Sequence, residues 1–120
     1  MKLSQMTSDM AADVMIQIAP DIEMLANDAE LGKMVSKREK TTNQGEAVKF
    51  GGLLVMKVAV HVLKEHRQSV WNILGALQQK TAAEIAEQSV MTVFAQIVET
   101  LNDKDFMSFF SLLKTPARET

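Results

Sequence analysis

The chain has 120 residues, of which 47% are hydrophobic and 23% are charged, and its formal net charge is −2. This length allows one domain that buries roughly two-thirds of the surface its unfolded chain would expose. Cysteine is absent, which excludes disulfide bonds, thiol catalysis and cysteine metal ligands. Tyrosine is also absent, and proline occurs only twice. The abundance of good helix formers and the scarcity of helix breakers predict helix rather than sheet.

No segment has the pattern of a membrane span or of a signal peptide. The longest apolar stretch, residues 50–63, is interrupted by Lys57 and His61. It is also shorter than the roughly 20 residues that a membrane span needs. Polar residues follow Met1 to Leu3, where a signal peptide requires an apolar core. We therefore expect a soluble protein that has no membrane partner.

Charge is distributed unevenly along the chain. Residues 1–31 contain one basic and six acidic side chains, whereas residues 32–67 contain eight basic and three acidic ones. This asymmetry predicts that the acidic N-terminal helices lie near the basic middle, or that each region contacts a partner. A nucleic-acid interface is disfavoured, because the total charge is negative and no aromatic residues alternate with the lysines and arginines.

In the N-terminal part, apolar residues recur at helical spacing. Thr7 or Ser8 is the expected N-cap of the first helix. Pro20 is expected at the first position of a new helical turn, and the apolar face then continues to about Leu31. Gly32 is expected to loosen the chain after this point.

Residues 36–46 form the one predicted loop, because they are polar and contain Gly45 but no large apolar side chain. The simpler interpretation is a connector between two helical layers. The alternative is a basic docking loop, including Lys37 and Arg38, that becomes ordered when a partner binds.

The second half of the chain is also predicted to be helical. Residues 47–65 are apolar around most of the helix circumference, which predicts a central helix surrounded by others. Four further helices are expected, with the bounds 67–79, 82–88, 90–102 and 104–113. Thr81, Ser89 and Asp103 are the expected N-caps of the last three, and Glu84 completes a capping box with Thr81.

The sequence therefore predicts a single compact all-α domain of about five to seven helices over residues 1–113. Residues 114–120, which contain Pro116, are predicted to be a flexible tail. Gly75 and Ala76 are expected to permit the close approach of a neighbouring segment.

No group of residues predicts catalysis, cofactor binding or metal binding. His61 and His66 are five residues apart, which on one helix separates them by roughly 140°, so they are not expected to share a metal ion. Asp103 and Asp105 have the spacing of an N-cap and a first-turn acid. Gly51-Gly52 lacks the surroundings of a phosphate-binding loop. We therefore expect a non-enzyme that needs no cofactor.

The last helix carries a broad apolar face. Its simplest role is to close the core, and the alternative is to contact another protein or a second copy of the chain. The residues expected to close the core are Trp71, Ile85, Phe94, Phe106 and Phe109. The predicted partner contacts are Phe106, Met107, Phe110, Leu113, Lys37 and Arg38.

Residues 63–110 carry a distinctive series of features. A Lys-x-His helix end precedes Trp71 and an Ile-Leu-x-x-Leu run, and a Lys-Thr-x-x-Glu-Ile turn follows at residues 80–85. An Asp-Lys-Asp turn beginning at Asp103 then leads to the pair Phe109 and Phe110. Together with the opening KLSQMTSDMAAD, this pattern resembles the small tail assembly chaperones of long-tailed bacteriophages and prophages of Gram-positive bacteria. The resemblance covers about two-thirds of the chain.

The resemblance implies an all-helical protein of the host bacterial cytoplasm that is absent from the finished virion. Such chaperones bind the long helical tape measure protein and help to recruit tail tube subunits, and many also exist in a longer, frameshifted form. Two alternatives remain: a small phage-encoded regulator that masks a host protein, and a helical DNA-binding module. The second alternative needs a basic recognition helix, whereas residues 47–65 are too apolar for that role.

Overall fold

The structure is a computed structural model that describes residues 2–40 and 52–114. For residues 36–40, 52, 53 and 114 it describes the helical backbone but not the side chains. The described residues contain a short 3-10 helix, Leu3–Gln5, and seven α-helices. These are α1 (Ser8–Ala26), α2 (Ala29–Lys40), α3 (Gly52–Glu65), α4 (Arg67–Gln78), α5 (Ala82–Ala86), α6 (Val90–Leu101) and α7 (Lys104–Lys114). Since these ranges contain no strand, the prediction of a single all-α domain is confirmed.

The helices enclose one core centred on α4. Helix α1 packs against α4, α7 and α2, while α3 packs against α2, α4 and α6. The buried residues of α4 are Ser69, Val70, Ile73, Leu74, Gly75, Ala76 and Leu77. In contrast, α3 leaves Met56 and Val60 more than half exposed. The central helix is therefore α4 rather than the predicted segment 47–65, because the neighbours of α3 cover only part of its apolar circumference.

The predicted helix starts are set by side-chain caps. The hydroxyl oxygens of Thr7, Thr81 and Ser89 accept hydrogen bonds from the backbone N–H groups three residues later, at 3.1 to 3.2 Å. The Glu84 carboxylate accepts in return from the Thr81 N–H at 2.8 Å, which completes the capping box. Asp103 caps α7 through the Asp105 N–H at 3.1 Å. These four N-cap predictions are confirmed.

Pro20 lies inside α1 and does not begin a new helical segment as predicted. Proline removes one hydrogen bond from a helix, because it has no N–H to donate to the carbonyl four residues earlier. Here that carbonyl belongs to Ile16, which lies on the exposed side of α1. Ile18 and Ile22, on the opposite side of the helix, are fully buried. Core packing on both sides of Pro20 thus keeps α1 continuous.

Helix α2 extends through Lys40, so the first five residues of the predicted loop 36–46 are helical. Lysine, arginine and glutamate have high helix propensity, and the buried residues Leu31 and Val35 hold the preceding turns against the core. The rest of this predicted loop lies outside the described residues, as do residues 47–51 of the predicted helix 47–65. Helix α7 reaches Lys114, and the remainder of the predicted tail also lies outside the described residues.

The turn between α4 and α5 requires a glycine at position 75. The Lys80 N–H donates to the Gly75 carbonyl at 2.8 Å, and Gln79 adopts the left-handed conformation with φ 63°. A Cβ atom at Gly75 would lie 2.7 Å from the Lys80 carbonyl oxygen and 3.3 Å from the Thr81 carbonyl carbon. The predicted close approach at Gly75 is confirmed, and the segment that approaches is the start of α5.

We expect Gly75→Ala to lower the free energy of unfolding by about 1–3 kcal/mol, because the new methyl group would push two backbone segments apart. Helix propensity alone predicts the opposite sign, a gain of about 1 kcal/mol. Urea denaturation followed by circular dichroism measures the difference. A Gly75→Ala variant more stable than the parent would contradict the close backbone approach.

Candidate functional site

Asp28 occupies the junction between α1 and α2. Its Oδ1 atom accepts hydrogen bonds from the backbone N–H groups of Glu30 at 3.0 Å and Leu31 at 3.1 Å. These bonds satisfy two of the N–H groups that a helix start leaves without partners. Asp28 therefore acts as the N-cap of α2, and its second carboxylate oxygen remains available for other contacts.

Two histidines converge on that second oxygen. The Nε2 atoms of His61 and His66 lie 2.6 Å and 2.7 Å from Asp28 Oδ2. His61 belongs to the last turns of α3, and His66 is the N-cap of α4 with φ −136° and ψ 38°. The prediction that the two imidazoles diverge is wrong, because it assumed one continuous helix through both residues. The helix ends at Glu65, and the non-helical backbone at His66 turns its ring towards His61.

This arrangement, which we call the His–Asp–His cluster (Asp28, His61 and His66), favours an ionised carboxylate. Partial burial by itself would raise the pKa of Asp28. That effect is outweighed by hydrogen bonds that the carboxylate accepts from His66, His61 and the Leu31 N–H. The positive charge of His61 lowers the pKa further. The pKa of Asp28 is consequently held well below its usual range.

The cluster also has the composition of a metal-binding site. One ligand atom from each of the three side chains lies within 4.8 Å of the other two. All three side chains are largely buried, with 14% to 15% of their surface exposed. The two imidazole rings are 6.1 Å apart and inclined by 61°. His66 Nδ1 is buried and has no hydrogen-bond partner among the described residues.

A surface groove lies beside this cluster, between α2 and α3. We call it the α2–α3 groove; its lining residues are Met34, Met56, Lys57, Val60, His61 and Lys64. Met56, Val60 and Lys64 follow one another at four-residue spacing, so they lie along one side of α3. Met56 is 53% exposed and Val60 is 60% exposed. The floor of the groove is therefore apolar, and two exposed lysines, Lys57 and Lys64, border it.

The structure places three of the predicted partner contacts inside the protein. Phe106, Met107 and Phe110 are each at most 7% exposed, and Leu113 is partly buried against the same core. Helix α7 packs on α1 and on the N-terminal 3-10 helix, and this packing covers its apolar face. In this conformation Phe106, Met107 and Phe110 close the core, as in the simpler of the two predicted roles. The prediction that these residues and Leu113 contact a partner stays a prediction.

The two basic residues predicted to contact a partner lie on α2. Lys37 and Arg38 belong to its last turns, so they are helical residues and not part of a loop. Their side chains are outside what the structure describes. The prediction that they contact a partner stays a prediction.

The sequence contains local signals for only some of the contacts that form the cluster and the groove. The Asn27-Asp28 pair is a typical helix-start signal, and it marks where α2 begins. Nothing local marks the break at His66, because neither glycine nor proline is close to it. The exposed positions Met56 and Val60 differ from their buried neighbours only in which side of α3 they occupy.

No protein-family model, curated protein or solved structure matches this chain. Among the described residues, no helix has the length and apolar character needed to cross a membrane.

Proposed function

We propose that this protein is a non-catalytic tail assembly chaperone, and that its α2–α3 groove binds an amphipathic helix of the tape measure protein. The observation that carries the proposal is the apolar floor formed by Met56 and Val60 between the exposed lysines Lys57 and Lys64. The resemblance of residues 63–110 to such chaperones supports the choice of partner. Recruitment of tail tube subunits in the host cytoplasm belongs to the same proposal.

The chemistry of the groove favours one kind of ligand. Methionine side chains are flexible and polarisable, so Met34 and Met56 can adapt to apolar side chains of varied shape. Helices are commonly recognised when their apolar residues at three- and four-residue spacing enter such a groove. Lys57 and Lys64 complement acidic residues that flank this apolar stripe. We therefore expect the bound segment of the tape measure protein to be an amphipathic helix with Asp or Glu beside its apolar face.

We expect Met56→Glu and Val60→Glu each to lower co-purification with the tape measure protein at least 10-fold. Each change places a negative charge on the apolar floor, where a bound helix would bury it at high cost. Both side chains are exposed in the free protein, so folding should be retained. The measurement is affinity purification of the tagged protein after co-expression with the tape measure protein of the same phage or prophage.

Met91→Glu is the matched control, because Met91 is 69% exposed on α6 and does not line the groove. This variant should co-purify like the parent. Lys57→Glu combined with Lys64→Glu should weaken the complex and reduce its sensitivity to salt. Absence of the tape measure protein from the parent purification contradicts the proposed function. Equal recovery with Met56→Glu and Met91→Glu contradicts the assignment of the groove.

A further inference from the structure

The His–Asp–His cluster joins three separate parts of the chain through atoms that commonly bind transition metals. Asp28 comes from the α1–α2 junction, His61 from the end of α3, and His66 from the α3–α4 junction. Two imidazole nitrogens and one carboxylate oxygen form the ligand set of many zinc sites that keep a fourth position for water. Calcium and magnesium prefer oxygen ligands, so two imidazoles disfavour them.

The distances between the ligand atoms are compatible with a bound ion after a small movement. Zinc lies about 2.0–2.1 Å from imidazole nitrogen and from carboxylate oxygen, so tetrahedral ligand atoms are about 3.3 Å apart. The Nε2 atoms of His61 and His66 now lie 2.6 and 2.7 Å from Asp28 Oδ2. Each of these two distances must therefore lengthen by about 0.6–0.7 Å when the ion binds, and small side-chain rotations can provide this movement.

The surroundings of Asp28 orient its carboxylate for this role. Its Oδ1 is fixed by the N–H groups of Glu30 and Leu31, so Oδ2 faces the imidazoles without any loss of the helix cap. Metal-binding carboxylates are usually held by such additional hydrogen bonds. Each of the three side chains is 14% to 15% exposed, so water reaches part of the cluster.

His66 limits the expected affinity. A histidine that binds a metal through Nε2 carries its proton on Nδ1, and that N–H usually donates to a second group. His66 Nδ1 is buried, and within residues 2–40 and 52–114 no group forms a hydrogen bond with it. Since loss of such outer contacts typically costs 10- to 100-fold in metal affinity, we expect micromolar rather than nanomolar binding.

We propose that Asp28, His61 and His66 bind one Zn²⁺ ion, which links the start of α2 to the end of α3 and the start of α4. His61 also lines the α2–α3 groove, so the ion would hold the two helices that form its walls. The proposal concerns this cluster alone and does not depend on the identity of the partner protein.

The test is calorimetric titration of the tag-free, EDTA-treated protein with ZnCl₂ at pH 7.5, together with thermal melts. We expect one Zn²⁺ per chain, a micromolar dissociation constant and a higher Tm with excess zinc, because the ion binds the folded state. His61→Gln and His66→Gln should each weaken binding at least 10-fold. Asp105→Asn, which changes an exposed carboxylate outside the cluster, is the matched control and should bind like the parent.

A second measurement covers the case in which the histidine variants do not fold. Nitrogen-15 spectra of the imidazoles in the parent protein should show zinc-dependent shifts at the Nε2 atoms of His61 and His66. Lack of saturable zinc binding to the folded parent, zinc binding unchanged in both histidine variants, or imidazole signals unaffected by zinc would each overturn the proposal.

Discussion

Replacing Phe110 with alanine is expected to lower the free energy of unfolding by about 3–5 kcal/mol. Phe110 lies on α7, is only 4% exposed and belongs to the hydrophobic core. The variant therefore loses apolar contacts and leaves a cavity. Single domains are typically stable by only about 5–15 kcal/mol. The variant should therefore lose a large fraction of its free energy of unfolding at 25 °C. Chemical denaturation followed by circular dichroism measures this loss.

Leu112→Ala is the control for Phe110→Ala. Leu112 lies two residues away on the same helix and is 67% exposed, so its removal should change stability by less than about 0.5 kcal/mol. The comparison separates the two roles considered for the apolar face of α7. If Phe110→Ala retained full stability and lost only partner binding, Phe110 would be a surface contact, and the packing of α7 described above would be incorrect.

The features that the sequence predicted correctly are local. Thr81 and Glu84 are three residues apart, and their reciprocal hydrogen bonds need no contribution from the rest of the fold. Ser89 and Thr7 cap their helices through one local hydrogen bond each, which their hydroxyl oxygens accept from the N–H three residues later. The predicted helix bounds in the C-terminal half agree with the structure to within two residues, because side-chain caps and apolar periodicity coincide there.

Predictions failed where tertiary packing overrides a local signal. Pro20 favours a helix start, but the burial of Ile18 and Ile22 keeps α1 continuous across it. The polar composition after Val35 indicates a loop, yet α2 continues to Lys40. In both cases the preceding turns are already helical and packed against the core. Adding residues to an existing helix costs less free energy than starting a new one, so the helix continues past the local stop signal.

The candidate site was less predictable because its contacts are distant in sequence. Asp28 is separated from His61 by 33 residues and from His66 by 38 residues. The periodicity of a single helix cannot show that a backbone break turns one histidine back towards the other. The α2–α3 groove likewise depends on which side of α3 is left uncovered, and this follows from the positions of α2, α4 and α6.

We expect Asp28→Asn to lower the free energy of unfolding at pH 7 by about 2–4 kcal/mol in EDTA-treated protein, since two charge-assisted hydrogen bonds are lost. Asparagine is also a favourable N-cap residue, so the start of α2 should be retained. The change in the free energy of unfolding therefore reports on the contacts of Asp28 with His61 and His66 rather than on the helix cap. Asp13→Asn, at an exposed position on α1, is the control and should change stability by less than about 0.5 kcal/mol.

The effect of Asp28→Asn should depend on pH in a defined direction. The pKa of Asp28 is lower in the folded protein than in the unfolded chain, where an aspartate has a pKa of about 3.9. The folded state thus binds fewer protons, and the stabilisation is fully present above about pH 4 and is lost as the pH falls towards the lower folded value. Denaturation curves at pH 7, 5 and 3 measure the difference between parent and variant. This difference should narrow at pH 3; a constant difference would show that the Asp28 carboxylate is not stabilised by its two histidines.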